Sequence, residues 1–154
     1  MILGLVACGG PKTAEEAWKI ADSEVRSQRY EKAIQSYENL IAKYPDSPLA
    51  SRSMFQLGAI YMNNTSQYDL SVKSYSRVME NYPDSPDAVK ALFMAGFVSA
   101  TYLGAYDQAE GYYRQFLEKF PNHELVPAAE FELENLGKDV EEIEALKGIV
   151  DAEK

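Results

Sequence analysis

Tyr44-Pro45-Asp46-Ser47-Pro48 and Tyr82-Pro83-Asp84-Ser85-Pro86 are the same five residues 38 positions apart, and Phe120-Pro121-Asn122-His123 follows after another 38. The same interval relates Tyr30, Tyr68 and Tyr106, then Tyr37, Tyr75 and Tyr113, then Leu40, Val78 and Phe116, and it joins Gly58 to Gly96. A fixed period of roughly 20 to 50 residues is the mark of a solenoid or array, whose units cannot bury their apolar faces alone and must stack. Three units are present. Around the first quoted stretch, Tyr30, Ala33, Ile34, Tyr37, Leu40, Ile41 and Tyr44 step by 3 and 4, the single apolar stripe of an amphipathic helix. Pro45 and Pro48 stop that helix. Ser47-Pro48 then offers an N-cap hydroxyl with proline at the first helical position, and Ser85-Pro86 repeats the device. A second helix is expected over 49–62 and again over 87–103, ended by Asn63-Asn64-Thr65-Ser66 in one copy and by Gly104 in the other.

Working outward, Thr13-Ala14-Glu15-Glu16 reads as a capping box that opens the first unit. Beyond the third unit, 127–136 reads as a further helix ended by Gly137. Asp139-Val140-Glu141-Glu142 caps a last helix carrying Val140, Ile143, Leu146 and Val150. Residues 1–129 hold 15 acids against 12 bases, whereas 130–154 hold 9 against 3, so the end of the chain is a differently exposed element. The simplest assignment is a terminal cap with a polar exterior; an acidic binding tail is the alternative. The expected fold is all-α: a right-handed α-solenoid of three helical hairpins at about 13–48, 49–86 and 87–126, closed by capping helices over 127–154 and preceded by a tether at 1–12.

The 154 residues make one domain, 46% hydrophobic and 25% charged, with a net charge of -9. That charge opposes binding to nucleic acid and to the anionic face of a membrane, both of which want clustered Lys and Arg, and no basic patch is evident. The apolar stretch from Met1 to Cys8 falls far short of the roughly 20 residues that span a bilayer. One cysteine and one histidine exclude an internal disulfide and a Cys/His zinc site. Gly4 and Gly9 begin a phosphate-loop pattern, but Gly10-Pro11 stands where lysine and a hydroxyl are required. His123 follows the third closing proline as a turn residue, and Glu130, Glu132 and Glu134 alternate by two, which spreads them over different helix faces instead of pairing them. Seven of the eleven tyrosines (30, 37, 44, 68, 75, 106 and 113) are expected to face the stack as packing residues. Asn63-Asn64-Thr65 is read as an ordinary loop. No catalytic residue, metal site or cofactor is expected, and the chain is read as a non-enzyme.

Position by position, these units resemble tetratricopeptide repeats. Leu57, Gly58 and Tyr61 match that family's first helix, Tyr75 the aromatic of its second and Pro83 its closing proline, with Ser71 replacing the usual alanine. Ala33, Tyr37 and Pro45, then Gly96, Ala109, Tyr113 and Pro121, match in the neighbouring units. The Tyr-Pro-Asp-Ser-Pro linker resembles that of bacterial envelope lipoproteins such as the BamD-like outer-membrane assembly factors and the Tol-Pal coordinator, although BamD-like chains carry more repeats than three. Leu5-Val6-Ala7-Cys8 resembles a lipobox, which implies a lipid anchor on Cys8, with Gly9-Gly10-Pro11 as tether and Gly9 implying passage to the periplasmic face of the outer membrane. Met1-Ile2-Leu3-Gly4 supplies neither the basic residues nor the longer apolar run of a full signal, leaving a plain cysteine in a short apolar end as the alternative.

The resemblance implies a scaffold that binds a protein or peptide in its concave groove, attached to the membrane only through that anchor. A small-ligand binder or accessory subunit is the competing class. With Gly58 and Gly96 as anchors, the groove positions are Arg52, Phe55, Ala59, Met62 and Asn63 in unit two, and Lys90, Phe93, Phe97, Ala100 and Thr101 in unit three. Arg52 and Lys90 are equivalent, and they are either a basic site for an acidic segment or ordinary members of surface ion pairs.

Overall fold

The computed structural model describes residues 10–139 together with 142 and 143; Cys8 and the expected last-helix residues Val140, Leu146 and Val150 lie outside the described residues. The described chain is all-α, a stack of antiparallel helical hairpins: α1 (Ala14–Arg26) with α2 (Tyr30–Lys43), α3 (Pro48–Asn63) with α4 (Tyr68–Asn81), α5 (Pro86–Thr101) with α6 (Tyr106–Lys119), then α7 (Val126–Glu134). Helix ends follow the local chemistry. The Thr13 hydroxyl accepts the Glu16 N–H at 3.1 Å, while the Glu16 carboxylate reaches one residue further back than a capping box predicts, to the Lys12 N–H at 2.7 Å. The Ser47 hydroxyl accepts the Leu49 N–H at 3.2 Å, and at the corresponding third-unit position His123 Nδ1 accepts the Leu125 N–H at 3.1 Å, the turn role expected of that histidine. Ser85 departs from its twin: its hydroxyl is buried without a partner and makes no cap bond.

Helix bounds differ from expectation by one or two residues. Both prolines, Pro48 and Pro86, are helical, and α5 stops at Thr101 because the turn begins there, leaving Leu103 outside it. Likewise α7 starts at Val126 and ends at Glu134, before Leu136, with Gly137 at φ +74 in the turn that follows.

Each hairpin is held by one buried tyrosine of its second helix. Tyr37, Tyr75 and Tyr113 are at most 1% exposed, and each meets an aromatic of the preceding helix at an interplanar angle of 55–61°: Trp18–Tyr37 at 5.3 Å, Phe55–Tyr75 at 5.1 Å and Phe93–Tyr113 at 5.7 Å between ring centroids. Such pairs contribute about 0.5–1.5 kcal/mol beyond their area burial. Behind Tyr75 and Tyr113 the first helix carries Gly58 and Gly96, and Ser71, fully buried in the alanine slot, donates its hydroxyl to the Gly58 carbonyl at 2.8 Å. Tyr106 is the exception among the seven tyrosines: it is 47% exposed, so it does not pack as expected.

Candidate partner-binding face

The odd-numbered helices touch one another directly, α1 against α3 and α3 against α5, whereas clefts of about 390 Å³ open between α2 and α4 and between α4 and α6. A stack tighter on one side than the other curves toward the tight side, so the odd helices form the inner, concave face.

All ten groove residues read from the sequence lie on α3 and α5. Arg52 and Lys90 are exposed near the helix starts, and Asn63 and Thr101 are exposed at the ends. Phe55, Ala59, Met62, Phe93, Phe97 and Ala100 are half-buried between them. Their exposed edges are what the face offers, because their inner edges are engaged: Phe55 and Phe93 on the buried tyrosines, and Phe97 edge-on to Tyr102 at 6.0 Å, which itself stacks on Tyr68 at 4.5 Å. The cavities of about 390–520 Å³ on the end, outer and loop sides of the stack are lined by other residues than these ten.

Neither Arg52 nor Lys90 makes a salt bridge among the described residues. Among the described residues the salt bridges are Arg26–Asp22 and Arg114–Glu110, and Arg52 instead places its guanidinium 5.5 Å from the centre of the Trp18 ring. Charge on this face is felt inside the hairpin. Burial pushes the Tyr37 hydroxyl up to about 12, Asp22 adds to the shift, and Arg26 and Arg52 oppose it.

Two parts of the face were missed in the sequence. The turn Ser27-Gln28-Arg29 is one residue shorter than its counterparts, so α1 is offset from α3 by 37 positions, not 38. With that offset Trp18, Asp22 and Arg26 of α1 correspond to Phe55, Ala59 and Asn63. At the other end Phe131 of α7 stands 38 after Phe93 and is 37% exposed. The face therefore carries one aromatic on each of α1, α3 and α5, Trp18, Phe55 and Phe93, with Arg52 and Lys90 on α3 and α5, and Phe131 holds the corresponding register position on α7. Next to this face the Tyr113 hydroxyl is buried without a partner among the described residues, and Glu132, half-buried on α7, has its carboxyl raised by desolvation.

Nothing in this arrangement pairs a nucleophile with a base, and among the described residues no three of His, Cys, Asp and Glu gather as metal ligands. No described helix is long and apolar enough to cross a membrane. A family model described as YfiO, outer membrane lipoprotein, matches residues 11–144. No curated protein matches the chain.

Proposed function

We propose, from the premise that this chain belongs to the YfiO family of outer membrane lipoproteins, that it is a lipid-anchored envelope scaffold whose concave face binds an extended protein segment. Cys8 is the anchor, at the periplasmic face of the outer membrane, and the partner segment is acidic or ends in a free carboxylate. The observation that supports this reading is the row of one aromatic on each of α1, α3 and α5, interleaved with Arg52 and Lys90, two bases outside any described ion pair in a chain of net charge -9. A periodic row suits a chain that runs across the helices, whereas a small ligand wants an enclosed pocket.

Trp18, the single tryptophan, sits under Arg52 and reports on the face directly. Titration with acidic peptides bearing a free carboxyl terminus is expected to change Trp18 fluorescence, with affinity falling as salt rises. Arg52→Glu with Lys90→Glu is expected to abolish that response and the capture of envelope partners while leaving the melting transition nearly unchanged. Unaltered affinity in the double variant would move the binding site off the concave face.

A further inference from the structure

We propose that the end of the stack formed by α1 and α2 seats on the anionic phospholipid bilayer to which Cys8 is anchored, so that the solenoid stands end-on at the membrane. This rests on the Cys8 anchor proposed above. Among the described residues no helix covers the outer side of α1 and α2, and a depression of about 510 Å³ remains there, lined mainly by apolar groups including Pro11, Ala17, Leu40 and Tyr44. Ile20, at its rim, is 45% exposed. A second depression of about 520 Å³ shares Pro11 and Ile20 and adds Lys12 and Lys19, while Lys43 borders the first.

The lining of these two depressions is opposite in charge to the molecule, although residues 12–43 as a whole balance six acids against six bases and Glu24, accepting a hydrogen bond from the Ser36 hydroxyl at 2.6 Å, stands beside the first depression. The residues lining the two depressions include Lys12, Lys19 and Lys43 against one acid, Glu16, in a chain of net charge -9. Apolar residues ringed by lysines match a headgroup layer, where the cations meet phosphates and the apolar groups enter the acyl boundary. The tether leaves the end face little freedom to turn away. The Pro11 carbonyl accepts hydrogen bonds from Lys43 Nζ at 2.7 Å and the Tyr44 hydroxyl at 2.9 Å, which pins the chain to the rim three residues from Cys8. Three extended residues reach about 10 Å at most, so the anchor holds this end within roughly a Debye length of the lipid surface.

The test couples the thiol of Cys8, the only cysteine, in the full chain to a trace maleimide-headgroup lipid in vesicles of equal parts phosphatidylglycerol and phosphatidylcholine. Lysine acylation is then followed by mass spectrometry. Lys12, Lys19 and Lys43 are expected to react about threefold or more slowly on vesicles than in solution, with Lys73 and Lys90 unchanged, and salt of roughly 0.5 M should restore the rates. Ile20→Glu, a change at an exposed position, should restore them at low salt. Equal rates on vesicles and in solution would overturn the inference, as they would if residues 1–9 or a second copy of the chain already covered the pocket. Slowing confined to Lys73 and Lys90 would overturn it as well. Because the coupling imposes the anchor chemically, the outcome is independent of natural acylation, which fractionation of cells carrying Cys8→Ser reads separately.

Discussion

A methyl group placed on Gly58 would lie 2.7 Å from Cε1 of Tyr75, and one on Gly96 would lie 2.8 Å from the same atom of Tyr113, both inside van der Waals contact. These glycines are therefore required by a ring and not by a turn: a flat aromatic face laid against helix backbone leaves no room for Cβ. Gly58→Ala is expected to destabilise by about 1–3 kcal/mol through overpacking. Tyr75→Ala, which empties a site only 1% exposed, should cost about 3–5 kcal/mol. The two act on one contact, so the double variant should fall short of their sum in denaturant unfolding. A loss below about 1 kcal/mol for Tyr75→Ala would mean that the ring is not the keystone of its hairpin. The first hairpin differs at this position: Ala21, completely buried, stands where the others have glycine, while Trp18 pairs with Tyr37 as Phe55 and Phe93 do with their tyrosines.

Between elements, the turns repeat as faithfully as the helices. Gln28 at φ +57, Ser66 at φ +53 and Gly104 at φ +60 are 38 residues apart, one left-handed residue in each odd-to-even turn, and only the third is the residue type that adopts it freely. The helix α7 begins a fourth such unit, and its environment has a pH signature. Burial raises the Glu132 carboxyl above its ordinary 4.5, so the folded protein holds that proton more tightly than the unfolded chain. The resulting stability is fully present below the unfolded value and is lost as pH rises through the folded one. Glu132→Gln is accordingly expected to raise the melting temperature at neutral pH, with the gain vanishing below the ordinary carboxylate range. Thermal melts across that range check it, and a gain independent of pH would assign the effect to packing instead. Removing the charge should also relieve the neighbouring Tyr113 hydroxyl, which burial and, to a lesser degree, Glu132 push upward.

For the molecule as a whole, the proposed anchor, the curvature and the charge distribution would together set how the scaffold is presented. With its native upstream sequence, wild-type protein is expected in the membrane fraction of cells and Cys8→Ser in the soluble periplasmic fraction, since acyl chains hold a protein at about 0.8 kcal/mol per buried methylene. Recovery of both in the soluble fraction would remove the anchor. The sequence by itself determined the all-α repeat, because each unit solves its local problem with the same residues: Pro45 and Pro83 stop a helix, Pro48 and Pro86 start the next, and Tyr37, Tyr75 and Tyr113 fill it. Local stops and periodic stripes are written in neighbouring residues and can be read there. Only the tertiary structure decided what depends on the adjoining unit. Tyr68 is half-buried, packed on the central core and stacked on Tyr102, whereas Tyr106, its equivalent, lies beside Gly137 and stays 47% exposed. Trp18 joins the aromatic row because a turn one residue shorter shifts α1, and Arg52 turns to that ring instead of to an acid. The same residue type at the same period has different exposure in different units, since burial is a property of what packs next and the ends of a stack have a neighbour on one side only.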